Sequence, residues 1–489
     1  MSKLPGSPAY GLPAAPPPPT VRSASDPRPV FWLAAAGTFL AYLDVTIVNI
    51  AFPSIAADFS GAGLGELSWV VNAYALAFAA LLVIFGRVAD RIGRRRVYLA
   101  GTAVFALSSA ACAVAPSVGV LVAARTVQGA AASAMIPAAL GLLLAAFPPQ
   151  RWAAAIAGWG AVGSVAAAFG PPIGGLLADG GGWRWIFVIN IPVGIATVVL
   201  GRRWLRESRV PETARPDVLG AVLLAGAVGA LALALVEGET WGWGSAATLG
   251  AFAVALAAGS LLVARTRRIV APIFEPALLR SRWSRAANAG TMAFGAALFA
   301  SQLCAVLFAT SVWGWSVLVA GLAAIPGPIA SAVAAPIGGR WASRSGPRPV
   351  AIAGAALFAL SLLWVVVAAG PEPDFFGVWL PYGILGGAGI GLGLPALIGA
   401  TATGLPPARF ATGMALATTA RQLGAVLGVA LLVAVIGTPA PGDAVAAYHA
   451  GFALCAGALG VAAACAWQLT PERVAKLAGR GAAVEPLAG

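Results

Sequence analysis

Long apolar segments recur along this chain and constrain its fold more than any other feature. From residue 30 onward, runs long enough to cross about 30 Å of hydrocarbon alternate with short polar breaks. We count fourteen such runs, at 30–55, 67–86, 97–115, 118–146, 154–178, 184–204, 217–237, 246–264, 286–310, 315–338, 349–369, 376–403, 411–436 and 448–468. The sequence therefore predicts an all-α polytopic membrane protein with 14 transmembrane helices.

Composition excludes the main alternative, a soluble enzyme. Of the 489 residues, 60% are hydrophobic and only 10% are charged, whereas a soluble protein is nearer a quarter charged. So few charged residues could not cover the surfaces of the two or three cores that a soluble chain of this length would form. The 61 glycines lie mostly within apolar runs, which is typical of packed membrane helices.

The charges indicate how the chain is oriented in the membrane. Lys and Arg number 30 against 17 Asp and Glu, giving a net charge of +13. Arginines cluster between alternate apolar runs, at 87–96, 202–215, 265–285 and 340–348, and the other connections carry acids. The positive-inside rule then predicts a multi-pass protein of the cell (inner or plasma) membrane with both termini cytoplasmic. This placement favours lipid headgroups over nucleic acid as partners of the basic residues.

An internal repeat divides the chain. GRVADRIGRRRV at 86–97 aligns with GRWASRSGPRPV at 339–350, and a second match relates 129–151 to 387–409. Two similarly folded halves are the architecture of an alternating-access transporter. We expect a disordered cytoplasmic N-terminal tail (1–29), a six-helix bundle (30–205), two inserted transmembrane helices with flanking loops (206–285), a second six-helix bundle (286–470) and a cytoplasmic C-terminal tail (471–489).

The segment at 86–97 combines tight-turn residues with charge. Its glycines allow close helix approach, and its acid can pair with a nearby arginine or cap a helix N-terminus. It resembles the signature loop of the major facilitator superfamily, although Ser343 replaces the acid in the second copy. The resemblance implies a conformational gate made by Gly86, Asp90, Arg91, Gly93 and Arg94. The alternative is a basic segment that only sets topology.

The first apolar run contains an acid, Asp44, about fourteen residues from its start. A charged, unpaired carboxylate there costs several kcal/mol, so it faces a cavity or a partner, and burial favours its protonated form. The string LDVTIVNIAFPSI at 43–55 resembles the first-span motif of fourteen-span drug:proton antiporters of the same superfamily. This resemblance implies that Asp44 carries the coupled proton. The alternative is a static packing contact.

The fourth apolar run contains Arg125 in the string LVAARTVQGAAASAMIPAAL. The string resembles the family's fourth-span arginine motif. An arginine keeps its charge at any working pH, so the resemblance implies that Arg125 tunes proton binding at a nearby carboxylate. The alternative is that its side chain reaches the outer membrane interface. We expect nearby Gln128, Gly129 and Ser133, with Asn49 of the first run, to line a substrate cavity.

Two further runs carry recognisable strings. In the fifth run, GWGAVGSVAAAFGPPIGGLLAD resembles the antiporter motif of exporters, and its small residues and prolines predict a hinge and a tight interface. The expected hinge residues are Gly163, Gly170, Pro171, Pro172 and Gly174. The thirteenth run contains Arg421 and Gln422, which either help to bind substrate or only reach the cytoplasmic interface.

Together these features predict a proton-coupled secondary active exporter of hydrophobic or amphipathic small molecules such as antibiotics. We expect a monomer that binds small-molecule substrates and protons and that needs no cofactor or metal. The sequence contains no GxxxxGK[ST] loop for ATP. Two other functions stay open, namely a dedicated exporter of one endogenous metabolite or lipid and, more remotely, a polytopic membrane enzyme acting on lipid-linked substrates.

Overall fold

The computed structural model describes residues 27–148, 151–209, 216–269, 272, 281–402, 410–437, 439–440 and 442–469. The regular secondary structure in these ranges is helical. The helices are α1 (Arg28–Asp58), α2 (Leu64–Ile92), α3 (Arg94–Ala113), α4 (Val118–Ala146), α5 (Trp152–Gly181), α6 (Trp185–Val188), α7 (Asn190–Trp204), α8 (Val218–Trp241), α9 (Ala246–Thr266), α10 (Arg282–Ser311), α11 (Val317–Ala323), α12 (Pro326–Ser345), α13 (Pro347–Ala368), α14 (Leu380–Ala402), α15 (Phe410–Ile436) and α16 (Ala444–Trp467).

The helices confirm the predicted all-α membrane fold. Within the described residues, 13 helical segments are long and apolar enough to cross a membrane, and α5 adds a further segment of 30 residues. Two spans are built from consecutive helices, α6 with α7 and α11 with α12, and a short π-helix at Phe375–Trp379 precedes α14. The predicted C-terminal tail and residues 1–26 of the predicted N-terminal tail lie outside the described residues.

Local sequence explains several helix boundaries. Several helices begin at a short polar residue whose side chain accepts a hydrogen bond from a backbone N–H of the first turn, which would otherwise have no partner. These residues are Ser117, Asp217, Ser245, Ser281 and Ser316. Between α2 and α3 the chain turns at Gly93, whose φ of 124° is a conformation that favours glycine. Residues 86–92 end α2 and residues 94–97 begin α3, so the 86–97 segment consists of two helix ends joined by a sharp corner at Gly93.

The same pattern of helix packing occurs twice along the chain. In the first set, α1 packs on α5, and α4 packs on both α2 and α3. In the second set, α10 packs on α15, and α14 packs on both α12 and α13. The most buried side chains of the first set include Tyr74, Tyr98 and Phe105, and those of the second include Phe294 and Phe308.

Several helix contacts join the two sets, including those of α1 with α10 and α11. Helix α2 packs along α15, α5 packs along α11, and α8 touches both α2 and α15. Helix α9 packs on α8, and the pair is joined by an ion pair in which Arg265 Nε lies 2.8 Å from Asp217 Oδ1. A central cavity, described below, lies between the two sets.

Close packing of α2 on α4 depends on Gly129. A Cβ atom at this position would overlap the carbonyl oxygen of Tyr74 and would lie 2.9 Å from its Cα atom. Backbone cannot move aside as a flexible side chain can, so a larger residue must push the helices apart. At Gly119, also in α4, a Cβ would meet nothing within 4 Å.

We predict that Gly129→Ala lowers stability by about 1–3 kcal/mol although alanine is the better helix former. The matched variant Gly119→Ala should cause no loss. Thermal unfolding in detergent can be followed with a thiol-reactive dye, because Cys112, Cys304 and Cys455 are buried and free. Equal unfolding midpoints for the two variants would show that the α2–α4 contact is looser than described.

Candidate functional site

Helix α1 presents two different faces. Tyr42, Val45, Thr46 and Asn49 lie at the three- and four-residue spacing of one helix face, and all four line the central cavity. Asp44 is absent from this lining and is fully buried. The carboxylate expected to face a cavity or a partner therefore faces a partner.

That partner is Arg125 of α4. Its Nη1 atom donates to Asp44 Oδ2, and both side chains are almost completely buried. Its Nε atom donates to the backbone carbonyl of Val70 in α2, over 3.0 Å. The structure thus excludes the alternative in which Arg125 reaches the membrane interface, because its guanidinium lies inside the bundle.

Neutral polar groups complete the surroundings of Asp44. Gln128 Nε2 donates to Asp44 Oδ1 over 2.9 Å, and Gln128 Oε1 accepts from Arg125 Nη1 over 2.6 Å. Asn190 Nδ2 of α7 donates to Asp44 Oδ1 over 3.2 Å. Both amides also reach Ser109 Oγ of α3. Because each partner is itself hydrogen-bonded, the ion pair is compensated where water is excluded.

Tyr74 of α2 separates this cluster from the cavity. The guanidinium carbon of Arg125 lies 4.3 Å from the centre of the Tyr74 ring, a cation–π distance. The hydroxyl of Tyr74 donates to the carbonyl of Ala41 in α1, over 3.3 Å, and Tyr74 also lines the cavity. One aromatic ring therefore contacts the buried ion pair and the cavity.

The cavity has a volume of about 410 Å³ and is bounded by helices of both sets. This volume is in the range of small-molecule sites, about 300–1,000 Å³. Its walls are mainly apolar and include Trp159, Phe299, Phe358 and Trp379. Among the described residues that line it, Arg421 of α15 is the one charged side chain.

Arg421 crosses from α15 to α1. Its Nη2 atom donates to the hydroxyl of Tyr42 over 3.3 Å, and its guanidinium carbon lies 5.5 Å from the centre of the Tyr42 ring. Gln422, the next residue, also lines the cavity and is buried. The predicted cavity residues Asn49, Arg421 and Gln422 thus meet in one space.

Three other predicted cavity residues do not line it. Gln128 belongs to the Asp44 cluster, Gly129 packs against the backbone of Tyr74, and the hydroxyl of Ser133 donates to Ala130 of its own helix. They lie on faces of α4 that turn toward α1, α2 and α3 rather than toward the second set of helices. Spacing from Arg125 placed these residues correctly on α4 but could not give the direction of each face.

The glycines of the α5 motif allow close contacts. Gly170 packs against Thr46 of α1, and a Cβ at Gly174 would lie 2.7 Å from Cγ1 of Ile47. Gly163 and Pro171 line the cavity, and Pro172 is half-buried beside them. Helix α5 thus packs on α1 along one side.

Helix α5 also contacts α11 of the second set. A Cβ at Gly175 would lie 2.8 Å from Cα of Leu318. The carboxylate of Asp179 accepts a hydrogen bond from the backbone N–H of Leu318 over 3.1 Å. Asp179 thus joins the two sets of helices at the end opposite the 86–97 corner.

The 86–97 corner is held by charge and by backbone contacts. Asp90 Oδ1 accepts from Arg94 Nε over 2.8 Å, and Arg94 Nη1 donates to the carbonyl of Gly141 over 3.1 Å. A Cβ at Gly86 would lie 3.6 Å from Pro137 Cβ in α4, so little more than a methyl group fits. Arg91 is exposed. The predicted gate residues except Arg91 therefore lie at the junction of α2, α3 and α4.

Glu207, which follows α7, is a functional candidate that the sequence reasoning missed. Its carboxylate accepts from the backbone N–H of Arg95 over 3.0 Å and lies 3.8 Å from Arg96 Nε. It therefore places a negative charge at the N-terminus of α3, where the helix dipole favours one. An acid among the arginines at 202–215 was the available signal. Asn190 was also missed, although a polar residue in an apolar run is itself a signal.

Comparison with known proteins places these features in a family context. A family model described as Major Facilitator Superfamily matches residues 34–310 and, separately, 287–488. Multidrug resistance protein Stp of Mycobacterium tuberculosis is 34% identical over 82% of this chain and 74% of that protein. Methylenomycin A resistance protein of Streptomyces coelicolor is 33% identical over 90% of this chain and 92% of its own. Multidrug export protein EmrB of Escherichia coli is 32% identical over 81% of this chain and 77% of its own.

Solved structures support the same fold. A crystal structure of a peptide transporter POT in complex with sulfate has a TM-score of 0.67 and covers 92% of this chain and 96% of its own. The structure of the POT family transporter PepTSo has a TM-score of 0.63, and the match covers 94% of this chain and 99% of PepTSo. The sequence identities are 17% and 16%, so these similarities concern the fold alone.

We predict that Asp44 and Arg125 are strongly coupled in stability. Arg125→Gln leaves a buried carboxylate without its counter-charge and should cost about 3–5 kcal/mol. Adding Asp44→Asn removes that charge, so the double variant should regain most of the loss. The four proteins of this double-mutant cycle can be compared by thermal unfolding in detergent. Additive losses would mean that the two side chains do not interact.

Proposed function

The chain belongs to the Major Facilitator Superfamily, and from that premise we propose that it is a proton-coupled secondary active exporter of hydrophobic or amphipathic small molecules such as antibiotics. Its similarity to proteins named for multidrug resistance, antibiotic resistance and multidrug export supports the class of substrate. The observation that carries the proposal is the buried pair of Asp44 and Arg125 beside an apolar cavity. In the proposed antiport, a proton enters as the substrate leaves.

Asp44 is the proposed proton site. It can accept a proton without leaving its partners unsatisfied, because Arg125 also donates to Val70 and Gln128. The amides of Gln128 and Asn190 can donate to either protonation state of the carboxyl group. Arg125 keeps its charge throughout, so the net charge of the cluster changes by the proton alone. Such a cluster has two electrostatic states, which is what coupling to a conformational change requires.

The proposed link between proton and substrate is helix α1 with Tyr74. Because α1 carries Asp44 on one face and Tyr42 and Asn49 on the other, a rotation or shift of this helix alters both sites. Tyr74 contacts Arg125 and lines the cavity. We therefore propose that proton and substrate do not compete for one carboxylate but act through shared elements.

Alternating access is proposed to occur by movement of the two six-helix bundles (30–205 and 286–470) against each other. The inserted pair (206–285) contacts this moving interface through α8, which packs on α2 and α15. The α5–α11 contact at Asp179 and Leu318 would close the side opposite the 86–97 corner. The corner, with Asp90 and Arg94, would gate the other side. In this proposal that side is cytoplasmic, as are both termini, in accord with the positive-inside rule.

We predict that Asp44→Asn abolishes uphill efflux while the protein still folds, because the amide keeps the size but cannot bind the transported proton. Release of protons on substrate addition, measured with a pH dye in detergent, should also vanish. Asp58→Asn is the matched control in the same helix, since Asp58 forms an exposed ion pair with Arg184 over 2.7 Å that contributes little. Full uphill efflux by Asp44→Asn would refute the proton site.

We predict that Asp90→Asn slows turnover and leaves equilibrium substrate affinity within about threefold, because Asp90 holds the corner and is not part of the cavity lining. Exchange rate and affinity are measured separately, by proteoliposome flux and by binding in detergent. Glu372→Gln, which changes an exposed acid elsewhere, is the control. Loss of affinity at an unchanged exchange rate would contradict a gating role.

A further inference from the structure

Two residues of the cavity wall, Asn49 and Arg421, carry buried polar atoms without hydrogen-bond partners. Asn49 is 3% exposed and lines the cavity, yet neither atom of its amide has a hydrogen-bond partner within the described chain. Arg421 Nε is likewise buried and unpartnered there. Most buried polar groups in proteins are hydrogen-bonded, and exceptions need an explanation. A ligand that supplies acceptors would satisfy Asn49 Nδ2 and Arg421 Nε, and a hydroxyl group on the same ligand could donate to Asn49 Oδ1.

The positive charge in the cavity wall determines which charge a ligand can carry. Arg421 is the one charged side chain among the described lining residues, and no described carboxylate lies within ion-pair distance of it. Its contact with Tyr42 compensates the charge only by a hydroxyl and a ring face. Inside a membrane protein, an uncompensated cation is costly and marks a site for an anion. A cationic ligand would add a second positive charge with no acid to balance it.

We propose that the cavity selects organic anions, with an apolar aromatic body and a carboxylate or phenolate group that Arg421 binds. The amide of Asn49 would bind a carbonyl or hydroxyl oxygen of the same molecule. The aromatic side chains at Trp159, Phe299, Phe358 and Trp379 would contact its apolar body. This inference rests on the proposed export function and names the class of substrate for it.

Binding of an anion would also affect α1 directly. The Arg421 guanidinium now donates to Tyr42, two residues from Asp44, and an anion would take over that donor because charge-assisted hydrogen bonds are the stronger ones. Tyr42 would then be released from α15. The substrate site of one set of helices is thus connected to the helix that carries the proposed proton site in the other.

The test uses the purified full-length protein in detergent and three probes that share one scaffold. These are anthraquinone-2-carboxylate, anthraquinone-2-carboxamide and the corresponding trimethylammonium-methyl cation. Binding is measured by titration calorimetry, which needs no transport, so the result is independent of whether export is proton-coupled. The variants are Arg421→Gln, Arg421→Lys and Asn49→Leu. Arg267→Gln is the control, because it removes an exposed arginine after α9, outside the cavity.

The carboxylate should bind the native protein at least about tenfold more tightly than the cation, as expected for a charge-assisted contact. Arg421→Gln should remove that preference and change carboxamide affinity by less than about threefold, which also shows that the variant is folded. Arg421→Lys should retain part of the preference. Asn49→Leu should weaken all three probes by about the same factor, since all carry the quinone carbonyls.

Three outcomes would overturn the proposal: equal affinity for the three probes, a preference for the cation, or an anion preference that survives in Arg421→Gln. None of these would affect the proton site, which the Asp44→Asn efflux experiment tests separately.

The flux of the probes through proteoliposomes adds an independent readout. At one proton per substrate, export of the carboxylate is equivalent to moving two positive charges inward, whereas exchange of a proton for the monocation moves no net charge. An inside-negative potential should then accelerate export of the carboxylate and leave exchange of the monocation unaffected.

Discussion

The buried ion pair of Asp44 and Arg125 is the interaction on which the rest of this structure depends. Two charges inside a membrane protein persist only where geometry and additional hydrogen bonds compensate the loss of water. Here compensation comes from four helices, α1, α2, α4 and α7. Close approach of α4 to α2 at Gly129 lets Arg125 reach the carbonyl of Val70. The buried ion pair therefore depends on the close packing of these helices at small residues.

Placing that pair away from the cavity has a mechanistic consequence. If Asp44 lined the cavity, an apolar substrate would have to desolvate it on every cycle. Instead Tyr74 packs against Arg125, and the cavity wall is mainly apolar apart from Arg421. A hydrophobic substrate of the proposed exporter would therefore not have to desolvate Asp44. In the proposed mechanism, coupling between proton and substrate passes through packed elements, and α1 and Tyr74 are elements that contact both sites. Such coupling requires that α1 and Tyr74 have at least two discrete positions. It does not require that one ligand directly displaces the other.

The fold and the identity of the intramembrane charges could be predicted from the sequence, because hydrocarbon penalises charge so strongly that Asp44 and Arg125 stand out in apolar runs. Their contact could not, since the two residues are 81 positions apart and each helix can rotate about its axis. Helix α4 is apolar on nearly every face, so no pattern of polarity fixed that rotation. This is why Gln128, Gly129 and Ser133 were wrongly assigned to the cavity. Asn49 and Arg421 do line the cavity, on faces of α1 and α15 that pack toward the opposite set of helices.

Buried Arg125 and half-buried Arg421 differ in how their charges are compensated. Packing in the first set of helices is repeated in the second, but the charges are not. Arg125 is neutralised by Asp44, whereas Arg421 meets Tyr42 and no described carboxylate. In the proposed mechanism, Arg125 stays paired until a proton binds Asp44, whereas Arg421 can bind a ligand of opposite charge. On the proposals made above, this asymmetry separates proton binding from substrate binding. It also keeps them connected, because Tyr42 and Asp44 are one helical half-turn apart on α1.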